Sequence, residues 1–102
     1  MSDLLAANLA QNQTNIQPAP VTIAASTTIA PSTMLTFVSG TTPNLKTITP
    51  YVTGQHQITI VFTGATPPTL LTTGNIAVGT TTLVQNRAVI FSYDPLTAKY
   101  YF

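Results

Sequence analysis

Cysteine, glutamate and tryptophan are absent from this 102-residue chain, and only 5% of its residues are charged. Without cysteine, neither a disulfide nor a thiolate metal site can hold a small fold together. Without glutamate the only acids are Asp3 and Asp94, so a catalytic carboxylate pair would have to bring those two into one cleft. Soluble domains usually carry about 25% charged residues, whereas the whole stretch from Leu4 to Leu45 has none. The net charge of +1 comes with no Lys/Arg cluster, so the multiple basic contacts that hold a nucleic-acid backbone are missing. No run approaches the roughly eighteen apolar residues of a membrane helix. Residues 1–10 have no Lys or Arg ahead of a short apolar stretch, so a signal peptide is not expected and the Asn12-Gln13-Thr14 acceptor pattern goes unused.

What is present points to strands. The hydrophobic content is 44%, too high for a disordered chain of such low net charge. Threonine fills about a fifth of the positions, and a β-branched, uncharged side chain suits a pleated, half-exposed surface. We expect an all-β domain over residues 21–102 behind an N-terminal arm, residues 1–20. In the arm, Ser2 or Asp3 can cap a short helix over residues 2–12 with Leu4, Leu5 and Leu9 on one side. Pro18 and Pro20 keep its end extended.

Alternation marks the strands that follow. Val21, Ile23 and Ala25 share one side, and residues 34–38 repeat the pattern after Pro31. The firmest strand is residues 57–62, where Ile58, Ile60 and Phe62 point one way and Gln57, Thr59 and Val61 the other. Shorter strands are expected at residues 75–78, 81–84, 87–93 and 98–102, with turns at residues 40–44 and at Asp94-Pro95. Thr53-Gly54, Thr63-Gly64 and Thr73-Gly74 fall ten residues apart, which reads either as one rung per ten residues or as coincidence in a threonine-rich chain.

Chemistry-bearing groups are few. His56 is the only histidine, and a triad would have to join it to Asp94 and a serine without nucleophile-elbow glycines. Asp94 before proline reads as a turn cap, and His56 as a surface or interface residue. One histidine per chain makes no metal site unless three copies meet on an axis. The glycines fit no phosphate-binding motif. Tyr100, Tyr101 and Phe102 could stack sugars or bases, but a last strand packing into a core is the more frequent reason for such a run. No enzyme, cofactor or metal is expected.

The segment Gly54-Gln55-His56-Gln57-Ile58-Thr59-Ile60-Val61-Phe62, then Thr73-Gly74-Asn75-Ile76-Ala77-Val78, then Arg87-Ala88-Val89-Ile90-Phe91-Ser92-Tyr93 and Tyr100-Tyr101, resembles the small trimeric β-domains of tailed-bacteriophage structural proteins. It covers about half of the chain; the closing tryptophan usual in those domains is replaced here by tyrosine. The resemblance implies a homotrimer of short antiparallel strands intertwined into a β-prism or β-helix-like domain. It also implies a virion protein assembled in the host cytoplasm; that neither nucleic acid nor membrane is expected as a partner follows from the missing basic cluster and the missing long apolar run. The role expected first is a capsid decoration or cement protein on the major capsid protein, and the alternative is a tail fibre, spike or head-fibre component working with tail proteins or a host glycan. The interface residues expected are Leu4, Leu5, Leu9 and Ile16 in the arm, with Ile58, Ile60, Phe62, Ile76 and Val78 in the β-domain.

Overall fold

A computed structural model describes residues 19–102. The expected helix over residues 2–12 and the expected anchors Leu4, Leu5, Leu9 and Ile16 lie outside the described residues; of the arm, only the exposed pair Ala19 and Pro20 is described. Nine strands follow: Val21–Ala24 (β1), Thr28–Ile29 (β2), Leu35–Ser39 (β3), Asn44–Leu45 (β4), Thr47–Ile48 (β5), His56–Phe62 (β6), Thr69–Leu70 (β7), Ala88–Asp94 (β8) and Lys99–Tyr101 (β9). No described residue is helical, so the all-β expectation holds.

The expected antiparallel pairing does not hold throughout, because the first two-thirds of the domain stack in parallel. β3 lies on β1 and β6 on β3, β5 lies on β2, and β7 on β4. Three courses of chain are thus laid over one another, and like side chains stack in columns. Ile23, Val38 and Phe62 form one, Thr36 and Ile60 a second, Ile29 and Ile48 a third, Leu45 and Leu70 a fourth. Val38, Phe62, Ile60, Ile29, Ile48, Leu45 and Leu70 are all buried. Alternation fixes which side chains point inward but carries no information on strand direction, which is why the sequence was equally compatible with hairpins.

Only the last two strands run antiparallel. β8 pairs with β6, bringing Ile58 opposite Phe91 on the inner side, and β9 pairs with β8. The five-stranded sheet therefore runs β1-β3-β6-β8-β9. Its far edge continues into residues 75–77: Tyr100 N–H donates to the Asn75 carbonyl at 2.7 Å, and Ala77 N–H to the Tyr100 carbonyl at 2.8 Å. Asn75 reaches β5 in turn, so hydrogen bonds wrap most of the way around the core. Two buried threonines are satisfied locally: Thr36 Oγ1 donates to the Thr33 carbonyl at 3.1 Å, and Thr33 Oγ1 to the Leu35 carbonyl at 2.6 Å.

Two expected strands are absent, over residues 81–84 and 75–78, the latter reduced to a single bridge from Ile76 to Tyr100. Ile76 is buried while Val78 is half exposed. In a straight strand these two would share a face, so the chain bends between them. The ten-residue rung is likewise not the repeat. Register places Val21 beside Thr36, and Thr36 beside Ile60, intervals well above ten. Two of the three glycines nevertheless sit where courses touch. A Cβ on Gly64 would run into the Gly40 carbonyl, and one on Gly74 into the Lys46 carbonyl and the Thr47 hydroxyl, whereas Gly54 faces open space.

Candidate functional site: an uncharged sheet face and a tyrosine groove

The outer side of the five-stranded sheet is read directly from register. Thr22, Phe37, Val61 and Ala88 form one row across the strands, Leu35, Thr59 and Ile90 the next, Gln57, Ser92 and Tyr101 a third. None of these side chains carries a charge at neutral pH. The first charged pair, Asp94 opposite Lys99, comes only at the end of the β8–β9 ladder. Ile90 at 56%, Tyr101 at 41% and Leu35 at 37% are the large exposed apolar side chains of this face. An antiparallel or mixed sheet with one solvated face normally alternates apolar-in with polar-out. Here both sides are apolar or neutral.

The expected interface residues are placed differently from one another. Ile58, Ile60, Phe62 and Ile76 are buried within the chain's own core, at 2% exposure or less. Val78 remains on the surface. Surface available to another molecule is thus contributed on the opposite side of β6 by Gln57 and Thr59, whereas Val61 on that side is itself buried, at 9%.

The second feature lies at the end of the sheet where His56 opens β6. Register brings His56 beside Tyr93 and Tyr93 beside Tyr100, and the turn before β6 adds Tyr51. His56 Nδ1 lies 2.7 Å from the Gly54 carbonyl oxygen and Nε2 lies 2.9 Å from Tyr100 Oη. A carbonyl only accepts, so Nδ1 carries the proton, and in the neutral ring Nε2 accepts from the Tyr100 hydroxyl. Burial, then the neighbouring Tyr93 and Tyr51, pushes the Tyr100 phenol up to about 12, which keeps it a donor across the neutral range.

Both histidine nitrogens are therefore engaged. Asp94 is engaged too: Leu96 N–H and the Thr97 hydroxyl each donate to one of its carboxylate oxygens at 3.0 Å, the turn-capping role expected for it. Among the described residues no three His, Cys, Asp or Glu side chains gather as a metal site. In front of the histidine, Pro50, Tyr51, Val52, Thr53, Tyr93 and Pro95 line an open groove of about 460 Å³. Sequence reading missed this groove, although Pro50-Tyr51 and Tyr93-Asp94-Pro95 each set a tyrosine within two residues of a proline at a turn.

No family model matches the chain, and neither a curated protein nor a solved structure matches it.

Proposed function

We propose that this protein is a bacteriophage virion structural protein, a capsid decoration or cement protein that binds the major capsid protein and stabilises the head shell as a homotrimer. The observation that carries the reading is the uncharged outer side of the five-stranded sheet, from Thr22 and Phe37 across to Ile90 and Tyr101. A face of that kind, in a chain with so few charges, is suited to being covered. The parallel courses support the β-helix-like form of the reading. The chain completes its own core, with Ile58, Ile60, Phe62, Phe91 and Tyr100 all buried. In this proposal the three copies therefore meet through outer faces rather than by lending strands to a common interior.

The test uses heads that lack the protein. They should lose resistance to heat and osmotic shock and regain it when the purified protein is added back, and the protein in solution should have three times the chain mass by light scattering. Heads equally robust without it would overturn the cement role. A well-behaved monomer would overturn the trimer.

One observation favours a second reading, the fibre or spike component touching a host glycan: the tyrosine groove formed by Tyr51 and Tyr93. Binding of the isolated protein to host cells separates this reading from the first, since a cement protein has no reason to bind them.

A further inference from the structure

Two separate pieces of chain converge on the groove. Pro50, Tyr51, Val52 and Thr53 precede β6, Tyr93 lies near the end of β8, and Pro95 begins the following turn. His56 stands behind both tyrosines. Its ring centroid is 5.3 Å from that of Tyr51 with the planes at 88°, and 5.0 Å from that of Tyr93 with the planes at 31°. Because the histidine is tied at both nitrogens, to Gly54 and to Tyr100, it fixes the two phenol rings against a common support. Their planes consequently meet at a wide angle, forming a corner.

We propose that this corner is a binding site for a neutral saccharide, with one pyranose ring stacked on Tyr51 and its hydroxyls met by the Tyr93 and Thr53 hydroxyls. The inference deepens the second reading above and is independent of the first. Charge decides the ligand class: no lining side chain is ionic, and the nearby Asp94 carboxylate is taken up by its own turn. A phosphate or a carboxylated sugar would find no counter-charge. The apolar faces of a sugar ring suit aromatic surfaces that also present a polar tip. Neither the Tyr51 nor the Tyr93 hydroxyl has a hydrogen-bond partner among the described residues, and no side-chain polar atom is buried without one, so both tips reach solvent. At about 460 Å³ the groove sits toward the small end of ligand sites, which run to roughly 300–1,000 Å³ and there suit one or two rings. A proline-rich peptide instead docks along an extended aromatic-lined groove, a shape that a corner of two crossed rings does not offer.

The experiment is an NMR titration of the full chain with cellobiose, maltose and lactose, run beside sialyllactose and a Pro-Ala-Pro peptide. At least one neutral disaccharide should shift the Tyr51, Tyr93 and His56 ring resonances saturably in the millimolar range, with sialyllactose no tighter than lactose. Tyr51→Ala should weaken that binding about tenfold while the resonances of Phe62, buried at the far end of β6, stay in place and report the fold. Tyr51→Phe should retain stacking and bind within a few-fold of the parent. Three outcomes overturn the site: no saturable shift with any neutral sugar, unchanged binding by Tyr51→Ala, or shifts with the peptide alone. Sugar binding by a protein that ignores host cells would remove the fibre reading and leave the site standing.

Discussion

The carboxamide of Asn75 takes the place of a strand beside Ile48. Ile48 N–H donates to Asn75 Oδ1 at 2.8 Å, and Asn75 Nδ2 donates to the Ile48 carbonyl at 2.7 Å, so one side chain satisfies both backbone groups of a fully buried residue. The Asn75 backbone completes the link, its N–H reaching the Lys46 carbonyl and its carbonyl receiving Tyr100 N–H. A primary amide has the same donor and acceptor as a peptide, and a buried backbone group must be paired. Asn75 thus ends the small β2-β5 sheet without leaving a bare edge against the core, and joins that sheet to β9.

Removing this side chain should be among the costliest single changes outside the apolar core. Asn75→Ala leaves Ile48 N–H and C=O unpaired and should lower stability by about 2–4 kcal/mol, measured by urea denaturation. Asn75→Asp separates the hydrogen-bond explanation from a loss of packing. An ionised carboxylate repels the Ile48 carbonyl, while a protonated one can donate to it, so the folded pKa of that acid must lie above its unfolded value near 3.9. The interaction is then present below pH about 4 and is lost as pH rises through the folded pKa. Asn75→Asp should approach the parent's stability in acid and fall away from it toward neutrality.

The three Thr-Gly pairs should respond differently to the same substitution. Gly64→Ala and Gly74→Ala place a methyl group against a backbone carbonyl of the course beneath, which cannot swing aside as a side chain can, and each should cost about 1–3 kcal/mol or more. Gly54 has no atom within 4 Å of an added Cβ and no positive φ. Gly54→Ala should be neutral or stabilise by about 0.4–1 kcal/mol through the unfolded chain. Thermal melts of the three variants check the ranking, and an equal loss for all three would show that stacking of the courses is not what the glycines serve.

Tyr100 should make the fold sensitive to alkali. Its folded pKa is raised from 10 to about 12, so the native state keeps a proton that the unfolded chain releases. The stabilisation is complete below pH 10 and is lost as pH climbs through 12. Tyr100→Phe removes this titration together with the hydrogen bond to His56. It should cost about 1 kcal/mol at neutral pH yet show a flatter decline in urea midpoint above pH 10. A phenolate absorbance titration should show a late component near pH 12 in the parent and none in the variant.

What the sequence made legible was local. Alternation located β6, and an apolar run closed by Asp94-Pro95 located β8, each to within a residue or so, because Ile58, Ile60 and Phe62 on one face and Phe91 opposite them favour the register that buries all four. Asp94-Pro95 announced its turn for an equally local reason. The parallel stacking was not legible: Val21 meets Thr36, and Asn44 meets Thr69, across connections of unlike length, so no period shows. The groove was hidden for the same reason, since Tyr51 and Tyr93 meet only after β6 and β8 have paired. Asn75 looked like the start of a strand; its use of a side chain in place of one becomes visible only beside Ile48.

Ile90 tests what the shortage of charge is for. Its side chain stands on the outer face at 56% exposure, in a row with Leu35 and Thr59. In an isolated chain, Ile90→Lys removes little packing and adds a solvated charge, so stability should change by no more than about 0.5 kcal/mol. If the outer faces of sister chains cover one another, the same lysine is buried without a partner, and a buried unpaired charge costs about 3–5 kcal/mol. Light scattering should then show Ile90→Lys as a folded monomer under conditions where the parent is trimeric. Leu96→Lys is the control: Leu96 is the most exposed large apolar side chain among the described residues, at 94%, and lies on the β8–β9 turn away from this row, so its substitution should leave the assembly intact. Retention of the parent's mass by Ile90→Lys would move the interface off this face. Loss of the trimer in both variants would point instead to a general response to added charge, because only a surface specific to Ile90 separates the two substitutions.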